Sequence, residues 1–196
     1  MNKLFTLLVC VLFTHTTYSQ TKIWELTTDI FYVKYSEPLQ QPLIVSYKVE
    51  CPMGDASRSG LDFHKHNDVY TSDNDDYVNN VWDKGHLAPA AAFNCDRETI
   101  KKTFSYLNCA LQHEGLNRGP WKELERFERN LAKIYDEVSV VITIEFDDVP
   151  QRVEGGAAIP NCFVKEITFG GRTIRFTFPN VDCSGKDWYS FIEEQN

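Results

Sequence analysis

Apolar and polar residues alternate along FYVKYSEP and PLIVSYKVEC, on either side of a Pro/Gln turn, and this period of two predicts a pair of strands. From Pro52 to Asn80 the alternation stops. Gly, Ser, Asp, Asn and His take over, which predicts a long polar loop inside the domain rather than a linker. VNNVWDKGH then reads as a short strand ending on a histidine. NCDRETIKKTFSYL starts with cap-type Asn94 and Asp96 and turns helical. LNRGPWKELERFERNLAKIYDEV carries the strongest helical spacing, with Pro120 in the first turn and Leu124, Phe127, Leu131 and Ile134 expected on the core side. VSVVITIEF predicts a buried strand. FVKEITFGGRTIRFTF predicts a hairpin about Gly170-Gly171, and DWYSFIEEQN a short closing helix. This order predicts an α+β fold with a central, mostly antiparallel sheet flanked by helices.

The first residues change the domain boundaries. MNK, an apolar LFTLLVCVLF and a polar THTTYS form a signal-peptide pattern over 1–19, too short in its apolar part to span a bilayer. Cleavage near Ser19 leaves one expected domain over 20–196 and implies a secreted or periplasmic destination. The net charge of −8, one unit more negative without Lys3, argues against broad attraction to nucleic acid or anionic membranes. Five cysteines remain beyond the leader: Cys51, Cys95, Cys109, Cys162 and Cys183. Their number is odd, and the pairing left open favours Cys162 with Cys183, which flank the hairpin.

The chemistry concentrates around VWDKGHLAPAAAF. A histidine between a glycine and a bland Pro-Ala run is not needed for core filling. Downstream, Asn117, Trp121, Glu125 and Arg129 recur every four residues, so an amide, an acid and a guanidinium are expected along one helix edge. Asn and Glu supply the oxygen ligands that a hard cation accepts. The plainer alternative makes Asn117 a helix cap and Glu125–Arg129 a solvated pair.

DKGH with Ala88 and Pro89 behind it, then NCALQ, HEG and LNRGPWKELERFER, together resemble the DNA/RNA non-specific endonuclease family, whose active site is a ββα-metal finger. The family pattern runs Asp-Arg-Gly-His, Asn-x-x-x-Gln, and Leu-Asn-x-Gly-x-Trp-x-x-Leu-Glu with a further Arg. Here it falls on Asp83 to His86, on Asn108 and Gln112, and on Leu116 to Arg129, with a softer likeness through VSVVITIEF and AAIPNCFVKEI. The resemblance implies a magnesium-dependent endonuclease, with manganese as an alternative, that hydrolyses DNA and RNA to 5′-phosphate products. His86 becomes the general base, for which an imidazole is suited near neutral pH. Asn117 becomes the metal ligand, and Glu125 holds a metal-bound water. Arg58 and Arg129 neutralise phosphate, with Lys84, Asn108 and Arg118 as further substrate contacts. Gly85 lets the backbone bend and the substrate approach, and Asp83 orients the site from below. An inhibitor protein is one further partner to look for, on which the sequence itself is silent.

Two positions depart from the pattern. Lys84 replaces an arginine, turning a planar fork into a point charge, and Leu111 stands where the family has proline. A positive cleft made by Arg58, Lys84, Arg118, Lys122 and Arg129 reconciles the acidic total with an anionic substrate. Two other classes stay open: a binding relative with weakened catalysis, and a secreted, disulfide-stabilised interaction domain. FHKHND lacks a third zinc ligand, SDNDDYVN lacks the glycine and closing glutamate of a calcium loop, and QHEGLN is no HExxH. Trp82, Trp121 and Trp188 read as core or rim aromatics.

Overall fold

The alternating segments become one antiparallel sheet in the computed structural model, which describes residues 22–193. Its strands are β1 (Ile23–Thr27), β2 (Phe31–Ser36), β3 (Gln41–Lys48), β6 (Val138–Glu145), β7 (Cys162–Phe169) and β8 (Arg172–Pro179), in the spatial order β1-β2-β3-β6-β7-β8. Between β3 and β6 the chain forms a separate two-stranded ribbon, β4 (Trp82–His86) with β5 (Cys109–His113). The helices are α1 (Arg97–Thr103), capped by the Asp96 side chain, the single turn α2 (Glu114–Leu116), and α3 (Lys122–Leu131). The α+β expectation holds. The proposed leader, 1–19, lies outside the described residues, among which no helix is long and apolar enough to cross a membrane.

Period-two alternation puts one sheet face inward. Val33, Tyr35, Val45, Val140, Ile142, Phe163, Ile167, Phe176 and Phe178 are buried there, in one cluster with Leu87, Leu116, Trp121 and Leu124 from the ribbon and helices. The hairpin turns where expected: Gly170 and Gly171 have φ of 51° and 74°, the left-handed pair that a two-residue hairpin turn requires.

The ribbon is fastened to the sheet by side chains instead of a further strand. Gln41 accepts from the Leu111 amide (3.0 Å). Asn180 accepts from the His113 amide (2.8 Å) and donates to the Leu111 carbonyl (2.9 Å). Both amide residues are buried, so the backbone groups of β5 find partners where water is excluded.

Three expectations need correction. The disulfide joins Cys51 to Cys95, whereas Cys109, Cys162 and Cys183 are free. Cys162 sits by Glu145 on the outer side of β7, while Cys183 is wholly buried in the core cluster, so the two point to different environments. The long helix expected from Leu116 to Val138 is interrupted. A π turn spans Asn117–Trp121, Gly119 leaves helical geometry (φ −99°, ψ −117°), and α3 ends at Leu131. Pro120 is the cause, because it offers no N–H to the preceding turn and disfavours α geometry at Gly119. Beyond Leu131 the chain turns away, which leaves Ile134 75% exposed instead of in the core.

Candidate active site

β4 ends on His86, and its antiparallel register with β5 runs from Trp82↔His113 to His86↔Cys109. The strand is regular through Gly85, and the reason for that glycine differs from the one expected. A Cβ there would lie 2.5 Å from the Gln112 Oε1 and 2.6 Å from its Cβ. Gly85 therefore lets the ribbon's own partner strand close in.

The imidazole of His86 sits in an aromatic clasp, 4.6 Å from the Phe63 ring and edge-on to Phe104 at 4.7 Å. Its Nε2 is out of solvent contact and bonds to no protein atom. Burial, with the nearby Arg58 charge adding to it, lowers the His86 pKa from 6.5 to about 3. A group so disposed is unprotonated at neutral pH, as a general base must be, and the same desolvation makes it a weaker base than a solvated imidazole. Neither clasp residue was singled out from sequence. Phe63 lies in a polar loop and Phe104 at a helix end, so only the fold brings them to the histidine.

Asn117 opens the π turn. Its Nδ2 donates to Asp83 Oδ2 at 2.8 Å, and the same carboxylate takes two bonds from Arg118, at 2.9 and 2.6 Å. An ionised carboxylate only accepts, so the amide nitrogen faces Asp83 and the carbonyl oxygen is the end left for the cleft. Asp83 thus fixes the amide end of Asn117 and the Arg118 guanidinium together.

Glu125 stands one helical step into α3. Its carboxyl pKa is pushed up to about 7, first by burial and then by Glu128, with Lys165 and Arg129 opposing. Arg129 donates to the Glu125 backbone carbonyl (3.0 Å), so the plainer reading of a solvated side-chain pair does not describe it.

His86, Asn117, Glu125, Arg129 and Arg58 line one cleft of about 850 Å³, together with Lys84, Arg118 and Lys122. All five residues of the expected positive cleft are present. Two of them are engaged elsewhere: Lys84 pairs with Asp62 (2.9 Å) and bonds Asn74, and Arg118 pairs with Asp83 and Glu114. The lysine in place of arginine therefore anchors the polar loop.

One site expectation fails. Asn108 is wholly buried, and its side chain serves the Ala88 amide and the Ala88 and Thr103 carbonyls, so it braces the turn after His86 and does not reach substrate. Trp121, which shares the four-residue spacing of Asn117 and Glu125, is a core aromatic, as its type suggested. The extra residue of the π turn rotates it inward, where it is fully buried against Phe163 and Phe178.

Beneath α3 lies a buried charge network. Lys165 Nζ is 2.8 Å from Glu128 Oε1, the Tyr47 hydroxyl donates to Glu128 Oε2 at 2.6 Å, and the ammonium lies 3.8 Å from the Trp121 ring centroid. It joins β3 and β7 to the helix that carries Glu125.

A divalent cation suits this donor set. A carboxamide oxygen and a carboxylate are hard oxygen ligands, few enough to leave most positions to water and phosphate. Among the described residues no cluster of three or more His, Cys, Asp or Glu forms a second kind of metal site, and His64 and His66 find no third ligand.

An antiparallel ribbon ending on a base, followed by a helical segment bearing Asn and Glu, is the ββα-metal nuclease arrangement. The family model described as DNA/RNA non-specific endonuclease matches residues 13–195, and the chain belongs to that family. It is 37% identical to mitochondrial endonuclease G of Bos taurus over 90 residues, 44% of this chain and 30% of that protein. It is 32% identical to the mitochondrial nuclease EXOG of Danio rerio over 45% of this chain and 27% of that one. It is 40% identical to the mitochondrial nuclease of Saccharomyces cerevisiae over 34% and 20% respectively. The chain thus spans under a third of the length of these relatives. A crystal structure of an EndoG/EndoGI complex, described as showing the mechanism of EndoG inhibition, has a chain sharing the fold. Its TM-score is 0.77 at 22% identity, covering 87% of this chain and 80% of that one. The relatives' names correct the expected location. They are mitochondrial nucleases, so the secreted or periplasmic destination is withdrawn.

Proposed function

We propose that the chain hydrolyses internal phosphodiester bonds of DNA and RNA with the help of a divalent cation, magnesium first and manganese in its place. The supporting observation is the convergence of the uncharged His86 imidazole with Asn117 and Glu125 in one cleft walled by arginine and lysine. Asn117 would hold the cation and Glu125 one of its waters, and the bound cation would supply charge neutralisation for the phosphate and the departing 3′ oxygen. The protein's own groups do the rest. His86 takes the proton of the attacking water. Arg58 and Arg129 neutralise the phosphate oxygens, and the product keeps its phosphate on the 5′ side. Binding through so few charges is sequence-independent and weakened by salt. A protein inhibitor that closes this cleft is a partner the EndoG/EndoGI structure makes worth seeking. By the names of the relatives, the location to test first is mitochondrial.

The test is digestion of plasmid DNA and of RNA by the purified protein, with magnesium or with EDTA, beside Asn117→Ala. Cutting that needs the cation and is lost in the variant supports the reading. Binding without cutting, or neither, overturns it.

The proton on Glu125 gives this reading a pH signature. With a pKa of about 7, the carboxyl must ionise before it can serve a cation, so metal binding releases a proton and strengthens as pH rises through 7. Activity at low magnesium should fall below about pH 7, and raising magnesium should move that fall to lower pH. Calorimetry in buffers of different ionisation enthalpy measures the released proton. An acid limb fixed in position at every magnesium concentration contradicts this assignment.

A further inference from the structure

The strap from Cys51 to Leu61 carries Arg58 over the cleft, yet it has almost no regular structure and most of it is exposed. Something outside it must hold Arg58 in place, because a long exposed side chain on a loose loop gives up conformational entropy at every encounter with phosphate. The holding groups come from the start of α1. Arg97 Nη1 donates to the Ser57 carbonyl at 2.7 Å, and its Nη2 donates to the Ser59 carbonyl at 2.9 Å. One guanidinium thus grips the backbone on both sides of Arg58. Next to it, Asn94 Nδ2 donates to the Gly54 carbonyl (2.6 Å), and Cys95 is bonded to Cys51 at the strap's beginning.

We infer that Arg97 is a positioning residue for phosphate binding, acting through Arg58, and that its fork presets the strap so that Arg58 meets the substrate already ordered. The inference rests on the nuclease reading for its functional consequence. Its geometry needs the fork: two carbonyls two residues apart are reached by two nitrogens of one planar group, which a lysine ammonium cannot reproduce. Arg97 is absent from the cleft lining, so its expected route to the scissile phosphate is through Arg58.

Four proteins decide it: Arg97→Ala, Arg97→Lys, Arg58→Ala and the double Arg58→Ala/Arg97→Ala. The readout is cleavage of a fluorophore-quencher oligonucleotide at saturating magnesium. Arg97→Ala should raise KM about three- to tenfold, leave kcat within about twofold, and flatten the salt dependence by about one phosphate contact, and Arg58→Ala should lose at least as much. The lysine variant should behave like the alanine one. The double variant should be no worse than Arg58→Ala alone, because the clamp has no other route to the substrate. Multiplying effects in the double variant, or a wild-type KM with lysine at 97, overturn the inference. Amide hydrogen exchange at residues 57–61 reads the clamp without any activity and should speed up in Arg97→Ala. If the wild-type protein does not cut, the nuclease reading falls, and unchanged exchange in Arg97→Ala sinks the clamp on its own.

Discussion

His86→Ala should lower the rate of phosphodiester cleavage by about 10²- to 10⁴-fold at saturating magnesium, the range for loss of a positioned general base. The imidazole is held neutral between Phe63 and Phe104, and among the described residues no other neutral base lines the cleft. Metal binding should survive the change, because Asn117 and Glu125 are untouched. Added imidazole should restore part of the rate. A variant within tenfold of wild type at matched metal occupancy removes His86 from the chemistry. The same residue carries a stability signature. Its folded pKa of about 3 lies below the ordinary 6.5, so the unfolded chain takes up the proton first as pH falls. The contribution is complete above pH 6.5 and is lost as pH falls toward 3, by up to about 1.4 kcal/mol for each unit. His86→Phe should flatten that part of the stability–pH curve. An unchanged curve means the clasp does not desolvate the ring as described.

Glu128→Ala should destabilise the fold by about 3–5 kcal/mol, the usual consequence of removing one partner from a buried ion pair. Lys165 and Glu128 are both wholly buried, and the substitution leaves the ammonium with the Trp121 face and no anion, besides freeing the Tyr47 hydroxyl. In a domain of this size the melting temperature should fall by something on the order of 10 °C. Replacing the pair together, Glu128→Leu with Lys165→Met, should recover most of the loss, since hydrophobic replacements of buried pairs are often neutral or better. Urea unfolding of the three proteins measures both. A loss under about 1 kcal/mol in Glu128→Ala shows that the ammonium finds water or sheds its proton, and the network is then no brace for α3.

Local pattern carried the sheet well where both halves of the signal were present. β2, β3, β6, β7 and β8 were all legible from their apolar patterns, β6 alternating in burial along its whole length while β7 buries three residues in a row, and the Gly170-Gly171 turn needed nothing beyond two residues that tolerate positive φ. β1 went unread because KIWELT lies at the sheet edge with no fully buried residue, so it shows little apolar contrast. The helix after Leu116 was read too long. Its apolar spacing continues past Leu131, but spacing says nothing about whether a core remains for Ile134 to meet. The cysteine pairing failed for a related reason, since closeness in sequence to a hairpin does not say which face each thiol takes.

By itself the sequence determined the inventory of the site: a histidine ending a strand, an amide and an acid around a proline-started helix, arginines nearby, and an order of motifs that belongs to one nuclease family. Those are properties of residue type and spacing, which a chain cannot alter by folding. Tertiary structure alone decided the state and duty of each group. It closed two phenylalanines on His86 and so set its charge. It turned Asn108 inward to brace a turn and tied Lys84 to Asp62. It also drew Arg97 across to hold Arg58, residues 39 positions apart in the chain. Desolvation, and hydrogen bonds between distant segments, arise only once the chain has surrounded a side chain, and no pattern of neighbours along the sequence encodes them directly.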